Sequence, residues 1–238
     1  MAGNDRVYEG LFRQAGVLRV DSVEDLFGFG FALAHQPALK GRRIGIVSHS
    51  GGPVTTIADA CERLGLEVPV FSQSLQKELS PFLPSTASGA NPVDLTFSID
   101  PSAMATEIPR RILESGEVDG VIIHGIMGSS YRKIYARQWK GMLDFPQEEM
   151  ARMELGAMAG LARLPSEHDK PVVCSCFMDR GHDNCTRFLQ DHGVPVFDSP
   201  EKAARAMVFL ARRGARMARG GWGDDLSSPW SRGPGSPA

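Results

Sequence analysis

The chain has 238 residues, 42% of them hydrophobic, with 26 Lys and Arg against 28 Asp and Glu for a formal net charge of −2. That is enough for one substantial core, or for one core and part of a second domain. The lack of a basic field excludes nucleic acid and an anionic membrane surface as expected partners. There is no long apolar run, and the start Met1-Ala2-Gly3-Asn4-Asp5-Arg6 is polar, so neither a membrane span nor a signal peptide is expected. Cysteines at 61, 174, 176 and 185 form no Cys-x-x-Cys pair, which points to reduced core thiols and a cytoplasmic address. Cys174, Cys176, His182 and Cys185 meet no standard ligand spacing, and the first two alternate within a strand pattern, so no metal is expected.

In chain order, Asn4-Asp5 caps a first helix carrying Val7, Tyr8, Leu11 and Phe12, and the strand-like Val17-Leu18-Arg19-Val20 follows. A second helix, capped at Asp21 or Ser22, has Glu24 and Asp25 in its first turn and Val23, Leu26, Phe27 and Phe31 as its apolar side. Two helices and a lone strand bury little by themselves, so residues 1–39 read as the tail of another domain. From residue 40 to 216 the pattern alternates strand and helix. Strands are expected at 43–48, 67–71, 119–125, 171–177 and 194–197, and helices at 53–65, about 74–82, 101–115, about 145–163, 181–192 and 199–213. This is the pattern of an α/β domain, a flavodoxin-like open parallel sheet with helices on both faces. Such sheets bind ligands beyond the carboxyl ends of their strands, where the loops 48–53, 125–130 and 177–182 would lie. Residues 217–238, rich in Gly, Ser, Pro and Arg, are expected to be disordered.

The most informative local pattern is Ile44-Gly45-Ile46-Val47-Ser48-His49-Ser50-Gly51-Gly52-Pro53, a buried strand running through a glycine-rich turn into a helix. Two glycines let the backbone approach a ligand, and Pro53 fits the first helical turn, where its missing N–H is no loss. The free N–H groups and the helix dipole would favour a phosphate against Ser50, Gly51, Gly52 and Pro53. The motif is neither a dinucleotide fingerprint nor a Walker A loop, so no nucleotide is specified. An ordinary strand-to-helix turn shares the pattern. Further on, Leu79-Ser80-Pro81-Phe82-Leu83-Pro84 and Asn91-Pro92-Val93-Asp94 belong to a shaped loop. There Pro92 biases Asn91 toward extended geometry, and Asn91 and Asp94 suit bonds to nearby backbone. Between 127 and 165, Tyr131, Tyr135, Trp139, Met142 and Phe145 suggest a lid, a subunit contact or an extra core helix. His35, His124, His168, His182 and His192 have no spacing that specifies a nucleophile.

Taken together and in this order, Ser50-Gly51-Gly52-Pro53, Leu79-Ser80-Pro81-Phe82-Leu83-Pro84 and Asn91-Pro92-Val93-Asp94 resemble the NDP-forming acyl-CoA synthetases, relatives of succinyl-CoA synthetase. The resemblance covers about residues 4 to 213. It implies that residues from 40 onward are the second of two flavodoxin-like ligase domains and that 4–38 close the first. In the complete enzyme, acid, CoA and ATP would be interconverted with acyl-CoA, ADP and phosphate through a phosphohistidine held between two helix N-termini. The implied roles are phosphate binding by Ser50, Gly51, Gly52 and the helix at Pro53, with Asn91 and Asp94 shaping the adjoining loop. ATP or ADP, CoA and Mg are implied for the complete enzyme, together with CoA-binding and ATP-grasp partner domains and an oligomeric assembly. The family's phosphohistidine segment would lie just before Met1, so the chain alone is expected to be an inactive portion. His49 stands where the family often has Asn, and is either a hydrogen-bond donor or a phosphoryl acceptor. The competing expectation is a sensor or interaction domain that kept the fold and lost the chemistry.

Overall fold

The computed structural model describes residues 4–96, 100–126, 128–129, 132, 147–177 and 183–218. Its sheet has five parallel strands, β1 (Ile44–Ser48), β2 (Val93–Asp94), β3 (Gly120–His124), β4 (Val172–Ser175) and β5 (Val196–Phe197), in the order β2-β1-β3-β4-β5. β1 and β3 are buried throughout, as strands covered on both faces must be. The period of two divides their side chains between two cores. Ile44, Ile46, Ile122 and Val173 enter one, and Val47, Val121, Ile123, Val172 and Cys174 enter the other.

Helices α1 (Asp5–Ala15), α2 (Val23–His35), α3 (Gly51–Arg63), α4 (Gln73–Leu79), α5 (Ile108–Glu114), α6 (Gln147–His168), α7 (Asn184–Asp191) and α8 (Pro200–Ala218) complete the layers. Buried residues of α2, α3 and α8 fill the first core, and those of α4 to α7 the second. The expected doubly covered flavodoxin-like sheet is therefore the observed architecture. A wide π-type turn, Ala103–Glu107, leads into α5 where one continuous helix was expected, and α6 continues to His168 through Pro165. Val17–Val20 forms no strand. Arg19 in that segment instead pairs with Asp5 at 2.6 Å and Glu9 at 3.4 Å, folding it back along α1.

α2 does not stand apart from the sheet domain. Its Phe29 lies between Phe197, at 5.4 Å, and Phe209 of α8, at 4.7 Å and edge-on. Such aromatic pairs contribute about 0.5–1.5 kcal/mol each beyond area burial. Arg205 of α8 reaches Asp21 and Asp25, each at 3.3 Å, while Gln36 donates to the Gly193 carbonyl at 2.8 Å and accepts from Val172 N–H at 2.9 Å.

The sheet's outer edge departs from expectation. Residues 67–71 are not a strand: Glu67 alone bridges Arg43. β1 is instead completed by three successive partners. Glu67 accepts from Ile44 N–H at 2.7 Å. The Asn91 side chain then donates to the Ile44 carbonyl at 2.7 Å and accepts from Ile46 N–H at 2.9 Å. Val93 and Asp94 finally pair with Val47 and Ser48, and Leu95 N–H donates to the Ser48 carbonyl at 2.8 Å. Buried backbone groups must be satisfied, and here a carboxamide does so where no strand backbone reaches. The amino ends of β1 and β3 are held by Arg43, which pairs with Asp119 at 2.8 Å.

Candidate functional site

β1 ends at Ser48, and Ser50, in extended conformation, begins α3 at Gly51 without a side-chain capping bond to the helix. No described residue accepts the N–H groups of Gly51 or Gly52. A β-carbon on Gly52 would meet no atom of the described residues within 4 Å, so among them this end of the helix is open. Pro53 is the third helical residue, where a missing N–H costs no intrahelical bond. Unsatisfied N–H groups and the dipole together make this terminus attractive to an anion.

The carboxyl ends of β2 and β3 flank the strand that leads into it, and that of β4 lies beyond β3. Asp94, opposite Ser48 in the ladder, accepts from Thr96 N–H through Oδ1 at 2.8 Å, holding Thr96 at a φ of 49°. Its Oδ2 would lie 3.0 Å from a β-carbon on Gly51. His49 is 4% exposed, and its ring occupies the volume that a side chain at Gly125 would need. Gly125, with a φ of 89°, can leave that volume open because glycine accepts the left-handed conformation without strain. Burial holds the His49 imidazole below its ordinary pKa, against the opposing influence of a hydrogen bond to the His124 backbone and the Asp94 charge.

His124, 1% exposed, closes β3 and places Nδ1 2.8 Å from Ser175 Oγ at the end of β4. Burial first, and then the nearby His49, push its pKa down to about 4, so it is neutral near pH 7. The Phe177 ring, 60% exposed, stands edge-on to it with centroids 4.6 Å apart. His124 has no nucleophile spacing in the sequence, and Ser175 and Phe177 belong to no motif there. The available signal was their position at the carboxyl ends of expected strands.

The remaining expectations divide between structural and undescribed residues. Asn91 is 6% exposed and spends its carboxamide on Ile44 and Ile46 of β1, ahead of the turn, while Asp94 lies beside the turn itself. Ser129 and Asn184 exchange hydrogen bonds at 2.7 and 3.3 Å, tying the loop after β3 to the start of α7. Tyr131, Tyr135, Trp139, Met142 and Phe145 lie outside the described residues, and α6 contributes Met158, Leu161 and Leu164 to the core. All four cysteines are buried, and no disulfide joins them. Among the described residues no three His, Cys, Asp or Glu side chains gather to hold a metal ion, and His182 lies outside them. Among the described residues, no helix is long and apolar enough to cross a membrane.

Comparison with known proteins accords with this architecture. Residues 44–220 match the family model described as Ligase-CoA domain. The chain is 31% identical over 216 residues to acetate–CoA ligase [ADP-forming] I of Archaeoglobus fulgidus, covering 89% of this chain and 27% of that protein. It is 26% identical over 225 residues to the alpha subunit of acetate–CoA ligase [ADP-forming] II of Pyrococcus furiosus, covering 92% and 44%. In fold it resembles the dinucleotide forming acetyl-coenzyme A synthetase 1 of Ca. Korarchaeum cryptofilum in its apo form, with a TM-score of 0.68, 24% identity and coverage of 92% of this chain and 44% of that one. The chain thus spans well under half the length of each of these relatives. With a Ligase-CoA match from the first sheet strand to the end of α8, this chain belongs to the Ligase-CoA domain family.

Proposed function

We propose that this chain is a ligase-domain portion of an ADP-forming acyl-CoA synthetase and that the amino-terminal end of α3 receives the phosphoryl group during its relay through a phosphohistidine. The observation that carries the reading is the uncapped Ser50-Gly51-Gly52-Pro53 terminus, open at the carboxyl edge of a sheet of this family. Gly51 and Gly52 N–H groups bind phosphoryl oxygens, and the helix dipole offsets their charge. His49 lines the floor as a neutral imidazole, and Asn91 keeps β1 in register beneath it.

The phosphohistidine, the CoA-binding domain and the ATP-grasp domain come from outside this chain, in an oligomeric, cytoplasmic assembly, and residues 1–39 close the preceding ligase domain. By itself the chain does not turn over. ATP, ADP and CoA are handled by the partner domains. Mg, like ATP, ADP and CoA, belongs to the partner domains in this reading, and no step of this chain passes through it.

Reconstitution with the partner chains tests this reading. Gly52→Asp is expected to abolish phosphoryl transfer while the domain stays folded, because the new carboxylate stands where the phosphate docks. Full activity in that variant sinks the role. A non-catalytic sensor domain predicts instead that the chain binds no phosphate, with or without its partners.

A further inference from the structure

α2 and α8 lie side by side and point the same way. Each begins on a serine cap: Ser22 accepts from Asp25 N–H at 3.0 Å, and Ser199 accepts from Lys202 N–H at 3.2 Å. At that end Lys202 crosses to Glu24 at 3.2 Å, and Arg205 reaches Asp21 and Asp25. At the other end Arg213 donates to the Leu33 carbonyl and, at 3.0 Å, to that of Gln36. Helices packed in parallel set their dipoles side by side, which is unfavourable unless charge offsets it at the termini. Acidic residues at the start of α2 and Arg213 at its carbonyl end supply that offset.

Between the two ends Phe29, 1% exposed, is sunk against Phe197 and Phe209, and the Arg205 guanidinium lies 5.2 Å from its ring centre. The chain leaving α2 is fastened too, because Leu39 N–H donates to the Leu210 carbonyl at 3.2 Å.

Resting on the reading that residues 1–39 close a preceding ligase domain, we propose that α8 is a two-ended clamp on α2, which carries that domain at a fixed orientation instead of on a loose linker. Arg205 and Arg213 are the two jaws and Phe29 is the pin. The clamp makes residues 21–39 move with the sheet that bears α3.

Amide hydrogen exchange on the full chain, read by mass spectrometry, tests the clamp. In the wild type, α2 is expected to exchange within roughly tenfold of α3, as one cooperative unit does. Faster exchange of α2 than that overturns the clamp. Arg205→Met/Arg213→Met keeps the apolar stems and removes the jaws. Exchange in α2 should then rise by roughly tenfold or more, the value of a lost charged hydrogen bond, while α3 is unchanged. No change in α2, or an equal rise in α2 and α3, overturns the two-ended clamp. Arg213→Met alone, read the same way, serves if the double variant does not fold. These outcomes concern α8 and α2 only, and the phosphoryl role of α3 stands or falls separately with Gly52→Asp.

Discussion

The His49 imidazole and the backbone of Gly125 share one volume: the ring lies where a β-carbon on Gly125 would stand. Two strand ends, β1 and β3, are thereby keyed together at the edge where α3 begins. Because Gly125 also has a φ of 89°, Gly125→Ala meets both a strained backbone and the histidine ring. A loss of about 1–3 kcal/mol is expected from the backbone alone. Urea unfolding should show it, and removing the ring in Gly125→Ala/His49→Ala should recover the part owed to the clash.

Gly52 separates stability from chemistry. Its surroundings are open, so Gly52→Ala should raise stability by about 0.5–1 kcal/mol through helix propensity. Gly52→Asp should be at least as stable as wild type, since a carboxylate in a first helical turn gains about 0.3–1 kcal/mol from the dipole. Thermal melts of the three chains beside phosphoryl-transfer assays check the dissociation. Loss of transfer accompanied by unfolding would contradict it.

Asn91 should behave as a structural residue. Asn91→Ala leaves the Ile44 carbonyl and the Ile46 N–H without partners in a buried place, a loss of roughly 3 kcal/mol. Amide hydrogen exchange at Ile46 should accelerate in the variant. Unchanged protection there would mean that another group takes over.

Acid should destabilise the chain through His124. Its folded pKa of about 4 lies below the ordinary 6.5, so the unfolded chain binds the proton first. Stability is whole above about pH 6.5 and falls as pH drops toward 4, by about 3 kcal/mol from this group. His49, lowered by burial, acts in the same direction. His124→Asn keeps a hydrogen-bonding atom near Ser175 and cannot be protonated, so its unfolding free energy should depend less on pH between 6.5 and 4.5.

The thiols should be silent. Burial pushes Cys61 and Cys185 up to about 12 each and raises Cys174 further, and Cys176 is 2% exposed. A thiol-colouring reagent at pH 8 should count none in the native chain and four after denaturation.

The alternation of apolar runs and helical segments is enough to imply the doubly covered parallel sheet, because periods of 2 and 3.6 are local properties of the chain. Ser50-Gly51-Gly52-Pro53 is equally legible, since the turn, the helix start and the lack of bulk are all written in neighbouring residues. The edge strand is not. Val93 and Asp94 become a strand only by pairing with β1, and beyond Glu67 the apolar-looking 67–71 does not join it, the Asn91 side chain satisfying the Ile44 carbonyl and the Ile46 N–H.

Chain periodicity thus determined the class of fold, and the local Ser50-Gly51-Gly52-Pro53 pattern the place where α3 begins. Only tertiary structure decided what surrounds that place. His124 and Ser175 are 51 residues apart and meet through the β3–β4 register. Asp94 reaches α3 through its ladder with Ser48, and His49 finds its seat in the left-handed turn at Gly125. Hydrogen-bond register and close packing act between residues distant in the chain, so no local pattern could have announced them.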